Sequence, residues 1–143
     1  MKYLKRIFES DLYNQVDEQG LMDFSETYLA YLLDDESFKL QVRDTGSDWE
    51  SYIIWLDRKD KSKSLRFYWN DIKDSYIPFV KMLESQYDLN TKRLDQVGSS
   101  IVVNFVSGDQ IYLSPSKLEH YNFPENHSIT EVGIIVENTV KIK

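Results

Sequence analysis

The 143-residue chain has the length of one domain, and its 41% hydrophobic and 29% charged residues are those of a folded globular protein, not a disordered one. It holds no cysteine, which excludes disulfides, thiolate zinc sites and cysteine nucleophiles, and no apolar run approaches the ~20 residues of a membrane span. A net charge of −7 argues against general affinity for nucleic acid or anionic lipid, because the average field repels phosphate.

The pattern predicts one α+β domain: an amphipathic N-terminal segment over 1–10 and a body over 11–143. Residues 11–20 are polar and read as irregular. A helix is predicted over 23–33, with Asp23 as cap, Glu26 at capping-box spacing, and Leu21, Phe24, Tyr28, Tyr31 and Leu32 at helical intervals. The period then changes to two: Phe38, Leu40 and Val42 alternate with Lys39, Gln41 and Arg43, the mark of a strand with one wet face. Residues 45–48 read as a turn, 52–56 as the hairpin partner, 58–64 as a charged tip and 65–69 as a third strand. A second helix is predicted over 71–87, kinked at Pro78, which removes the hydrogen bond to the carbonyl of Asp74.

Residues 88–100 are polar. A hairpin over 101–106 and 110–114 turns at Ser107-Gly108-Asp109, and Ser114-Pro115 reads as an N-cap followed by proline in a first helical turn. A final hairpin is expected from 129–136 and 140–143. Strands in hairpin-linked runs, interrupted by two main helices, indicate an antiparallel sheet with the helices on one face.

Charge is distributed unevenly along this scheme. Residues 9–50 carry twelve acids against Lys39 and Arg43, whereas residues 51–143 carry twelve acids and twelve bases. An acidic face formed by Asp34, Asp35, Glu36, Asp48 and Glu50, with Trp49 and Tyr52 as aromatic anchors, is the expected interface for a protein partner with a basic surface. The other charge concentration is a basic tip of Arg58, Lys59, Lys61, Lys63 and Arg66, near Trp55, Tyr68 and Trp69. It reads either as a contact for phosphate or an acidic partner, or as a solubilising hairpin end that protects a strand edge.

Catalytic templates match poorly. The five glycines are scattered singly, so no phosphate-cradling loop is present, and there is no Gly-x-Ser-x-Gly elbow. His120 and His127, flanked by Glu119 and Glu125, offer two imidazoles without a third ligand at diagnostic spacing, and no metal or other cofactor is expected. Asp71-Ile72-Lys73 after an apolar run, with Asp57 upstream, has the residue types of a restriction-type nuclease, in which carboxylates hold a divalent cation beside a lysine. The same Asp71 is also where a helix cap is expected.

The opening Met1-Lys2-Tyr3-Leu4-Lys5-Arg6-Ile7-Phe8-Glu9-Ser10 resembles the first ten residues of many small accessory and internal head proteins of large tailed bacteriophages. In internal head proteins of that group such a leader directs packaging into the prohead and is cut after the glutamate. The resemblance implies recognition at Ile7 and Glu9 and a cut between Glu9 and Ser10; the alternative is an uncut amphipathic helix docking Tyr3, Leu4, Ile7 and Phe8 onto the body. A secretory signal is not expected, since the segment lacks an apolar core and a small-residue cleavage site. A phage origin implies an accessory factor in the host cytoplasm, or a virion component. The leading expectation is therefore a non-enzymatic module that binds and inhibits or modulates a host protein. The alternatives are a self-assembling minor virion protein and a metal-dependent nuclease.

Overall fold

Helix α1 spans Glu18–Tyr28 and starts earlier than its apolar spacing indicates. Its cap is Asp17, whose carboxylate accepts the Gln19 N–H at 3.3 Å. Asp23 instead lies mid-helix, where its carboxylate accepts the Gln19 side-chain amide at 2.9 Å. Glu18-Gln19-Gly20 extends the helix into a stretch that reads as irregular because its side chains are polar. The chain breaks at Leu29 and resumes as α2, Ala30–Asp34, so the single helix expected over 23–33 is two segments. The computed structural model describes residues 17–34, 38–45, 51–58, 67–91, 98–124 and 127–140. The N-terminal segment 1–10, with its leader resemblance, lies outside them, as does the turn at 46–48.

Strands β1 (Phe38–Asp44) and β2 (Ser51–Arg58) form the expected antiparallel pair, in register from Phe38 with Arg58 to Asp44 with Tyr52. The third strand expected at 65–69 is not formed by the described residues of that stretch. Phe67 makes one bridge, exchanging hydrogen bonds with Ile129 at 2.9 and 2.6 Å, and Trp69 already belongs to α3, Trp69–Gln86. The Asp71 carboxylate reaches back to the Tyr68 N–H at 2.8 Å and draws the helix start ahead of the expected residue 71.

Helix α3 buries Ile72, Tyr76, Phe79, Val80 and Leu83, the face its spacing predicts. Pro78 lies inside it on the exposed side. Because an interior proline costs a helix about 3 kcal/mol and restricts the unfolded chain by only about 1, Pro78→Ala is expected to raise stability by about 1–2 kcal/mol. A shift of the urea midpoint at unchanged slope measures it; an unchanged or lower midpoint contradicts it.

At Tyr87 the backbone turns extended and passes directly into β3, Tyr87–Leu89, a strand hidden in a stretch that reads as polar. After it come β4 (Ile101–Phe105), β5 (Gln110–Leu113) and the turn-length helix α4 (Pro115–Leu118). Gly108 sits at φ 98° in the β4–β5 turn, where other residues are strained. Ser114 caps α4 by accepting the Lys117 N–H at 3.3 Å, as the Ser-Pro pair predicts.

The last strand, β6, runs unbroken over Ile129–Val140 instead of turning at 137–139. It is the centre of a six-stranded antiparallel sheet of order β1-β2-β6-β4-β5. One edge of β6 pairs with β2; along the other, β4 pairs near its start and β3 near its end. That second pairing keeps Glu137-Asn138-Thr139 extended, and neither partner is a chain neighbour. Where β3 and β4 meet along this edge, Ile135 accepts the Asn90 N–H and donates to the Ser100 carbonyl, both at 2.9 Å.

Register sorts the side chains into two faces. Leu40, Leu56, Val132, Val103 and Ile111 form one row, and Val42, Ile54, Ile134, Ile101 and Leu113 the next. These rows meet Leu21, Leu29 and Leu32 of the first helical segments, the apolar face of α3, and Leu118 of α4 in one core. The fold is α+β with its helices on one side of the sheet. On the other side, Gln41, Trp55, Gly133, Val102 and Tyr112 lie in register. Among the described residues no helix is long and apolar enough to cross a membrane.

Candidate binding sites

The start of α1 and the β1–β2 pair gather negative charge. Burial raises the pKa of the Tyr52 hydroxyl, and the charges of its register partner Asp44 and of Glu18 and Asp17 at the start of α1 raise it further. Tyr52 is half-buried against the core rather than projecting as an anchor. The aromatic that does project is Tyr31 on α2, 82% exposed. A recess of about 290 Å³ lies in the same region, lined by Met22, Glu26, Leu33, Phe38, Lys39 and Leu40. Asp34 ends α2, while Asp35, Glu36, Asp48, Trp49 and Glu50 lie outside the described residues.

Of the basic tip, Arg58 is described and the rest (Lys59, Lys61, Lys63 and Arg66) is not. The Arg58 guanidinium stands 4.7 Å over the ring of its register partner Phe38, a cation–π contact within the fold.

The residues of the nuclease reading separate. Alternation along β2 puts Leu56 in the core and Asp57 on the opposite face, in register with Lys39 and Glu131. Asp71 and Lys73 stand on α3, across the sheet from it. The sheet thus divides the two carboxylates that would have to share a cation. His127 packs edge-on against Phe105 with ring centroids 5.6 Å apart. Among the described residues no group of three or more histidine or acidic side chains is placed to hold a metal ion.

A larger groove, about 820 Å³, opens where the start of α3 faces the segment after α4. Its floor is aromatic: Phe123 stacks on buried Trp69, ring centroids 4.5 Å apart and planes 17° apart, and Tyr121 meets Phe123 edge-on at 4.8 Å. Trp69 is held from behind by Tyr76, edge-on at 6.1 Å. Tyr68, Asn70, Asp71 and Lys73 line one wall, and Glu119, His120, Asn122 and Pro124 the other. Both carboxylates are engaged. Asp71 accepts the Tyr68 N–H, and Glu119 pairs with Lys81 of α3. The Lys81 hydrogen bond lowers the Glu119 pKa, with further help from the charges of Lys81 and His120.

Sequence reasoning singled out Asp71, Lys73 and His120 for separate metal chemistries, and the structure brings them to one groove. It missed Tyr121, Asn122 and Phe123, which carry no motif; two aromatics beside Pro124 in an otherwise polar loop are the signal they offer. No protein-family model, curated protein or solved structure matches the chain. Function is therefore argued from these surfaces.

Proposed function

We propose that the chain is a non-enzymatic protein-binding module whose acidic face, built on α1, α2 and the β1–β2 pair, engages a partner with a basic surface. The observation that carries this reading is negative charge along α1 and the β1–β2 pair: the charges of Asp17, Glu18 and Asp44 act on Tyr52 at one end, and Tyr31 stands 82% exposed on α2 at the other. Such carboxylates steer a basic partner, and an exposed tyrosine adds contact area at low entropic cost. The recess offers the aliphatic stem of a lysine or arginine apolar cover from Met22, Leu33 and Leu40, with Glu26 to meet its charged head. The resemblance of residues 1–10 to phage accessory leaders supports a host protein as the partner, bound in the host cytoplasm and inhibited or modulated there.

Affinity capture from host lysate followed by titration of the purified captured protein tests this. The variant Glu18→Lys, Glu26→Lys, Tyr31→Ala leaves the core intact and is expected to weaken binding by at least about tenfold, and wild-type affinity should fall as salt rises. Equal affinity for the variant, or affinity indifferent to salt, overturns the acidic-face reading. Discrete large oligomers in sedimentation of the pure protein replace it with the virion-assembly reading.

A further inference from the structure

The side of the sheet turned away from the helices is apolar where a solvated face would be polar. Val102 lies between Ile101 and Val103, and Ile135 between Ile134 and Val136, all four of which belong to the helix-covered core. Alternation therefore points Val102 and Ile135 to the opposite side, yet each is only 4% exposed. Register gathers them into one patch. Ile53 stands opposite Ile135, and Trp55, Gly133 and Val102 share a row, with the indole lying over Gly133. An antiparallel sheet with one wet face alternates apolar and polar side chains, whereas apolar residues on both faces mark a sheet covered on both. The described helices all contribute to the core on the other side, so this cover comes from residues outside those described.

Those stretches differ in what they can supply. Residues 35–37 and 125–126 hold no apolar side chain, 46–50 hold Trp49, 59–66 hold Leu65, 92–97 hold Leu94 and Val97, and 141–143 hold Ile142. The stretch before Asp17 holds Tyr3, Leu4, Ile7 and Phe8 close together, interleaved with Lys5 and Arg6. Charge points the same way. Lys39, Asp57, Glu131 and Asn104 form the neighbouring row of the outer side, with the two carboxylates directly opposite each other. Like charges so placed repel, and a cationic cover relieves the repulsion; residues 1–8 carry three positive charges and no negative one. The path is short as well. Helix α1 packs on β1, and β1 is the edge strand of the sheet. The eight residues between Phe8 and Asp17 span up to about 30 Å when extended, enough to pass round one edge strand.

We propose that residues 3–8 of this same chain cover the outer side of the sheet, setting Tyr3, Leu4, Ile7 and Phe8 against Trp55, Val102 and Ile135. Lys5 and Arg6 then serve Asp57 and Glu131. The assignment is independent of the acidic face and of the resemblance of residues 1–10.

The chain has no native cysteine, so Ser10→Cys carries a single nitroxide beside the segment. In NMR spectra of the full-length nitroxide-bearing protein, the signals of Trp55, Val102 and Ile135 are expected to lose most of their intensity. They should regain it when ascorbate reduces the nitroxide, and Lys73 and Lys81 on α3 should be affected least. Ile7→Asp combined with Phe8→Asp in the same chain should restore the lost intensity. Full intensity at Trp55, Val102 and Ile135 in the unsubstituted segment would overturn the proposal and leave Leu94 and Val97 to cover the patch. Losses that survive the double substitution in a chain whose spectrum stays folded would overturn it too. So would losses in an isotope-labelled chain without nitroxide, mixed with the nitroxide-bearing one, since they would give the face to a second copy. If the doubly substituted chain does not fold, the unsubstituted segment and the mixed sample decide the assignment by themselves.

Discussion

Replacing Gly133 with alanine is expected to destabilise the protein by about 2–3 kcal/mol, although the residue lies within a strand where glycine is ordinarily the weaker choice. Gly133 is the middle of β6, opposite Trp55 on β2 and Val102 on β4. A Cβ there would sit 2.7 and 2.8 Å from Cζ3 and Cε3 of the Trp55 ring and 3.1 Å from Cδ1 of Ile53. A rigid indole cannot yield locally as a flexible chain end does. Either it swings off the sheet and exposes the surface it covers, or the β2–β6 ladder spreads. Both outcomes exceed the ~1 kcal/mol that alanine gains over glycine in a strand. Urea unfolding measures the loss. The double variant with Trp55→Ala is expected to show coupling, since alanine at 133 meets no obstacle once the indole is gone. A Gly133→Ala protein as stable as wild type would mean that the indole does not lie over this glycine in solution.

Tyr76→Phe is expected to stabilise the protein by about 1 kcal/mol at neutral pH, against the usual direction of core substitutions. Tyr76 is 1% exposed in the core, and its hydroxyl has no hydrogen-bond partner among the described residues. Folding strips that hydroxyl of water and returns nothing, whereas phenylalanine keeps the ring contacts with Phe79 and Trp69. The same burial pushes the Tyr76 pKa far above its ordinary value of 10.0. Above pH 10 the unfolded chain releases this proton while the folded protein retains it. Stability then falls with rising pH, by about 1.4 kcal/mol per pH unit for a single group. Below pH 10 both states are protonated and the group contributes no pH dependence. The advantage of Tyr76→Phe is therefore expected to widen between pH 10 and 11. Alkaline loss should persist in the variant because burial also raises Tyr52 and Tyr87, which are less enclosed. Urea midpoints at pH 7 and pH 11 decide it. A less stable variant at pH 7, or an advantage that stays constant with pH, would show that the hydroxyl is solvated.

The elements that were legible are those whose signal is local. Ile72, Tyr76, Phe79, Val80 and Leu83 mark α3, and Phe38, Leu40 and Val42 mark the inner side of β1, because one buried face imposes its own period on the sequence. Gly108 and Ser114-Pro115 announce a turn and a helix start through backbone constraints that act within a few residues. Caps were less legible. Asp23 and Asp71 both have the right neighbours, yet Asp17 caps α1, and Asp71 acts backwards onto the N–H of Tyr68. A carboxylate can serve more than one position in a first turn, so composition does not choose between them.

The groove was legible only as unrelated fragments. Its walls come from residues 68–73 and 119–124, joined through α3, the sheet and α4, and no periodicity relates them. Asp71 and Lys73 have the residue types of a cation site, and only the fold shows Asp57 on the far face of the sheet and Asp71 committed to a cap. The acidic third was visible as charge, but which acids act on Tyr52 depends on how α1 packs against β1.

The sequence by itself determined that this chain forms an α+β fold, and that its negative charge belongs to the first third, because helical and strand periods and net charge are sums over near neighbours. Only the tertiary structure decided that 129–140 is one central strand, that Gly133 makes room for an indole, and that Trp69 and Phe123 build one groove. Each of those depends on contacts between segments distant in the chain. Their energy is gained only after the sheet is assembled, and nothing in the local sequence records it.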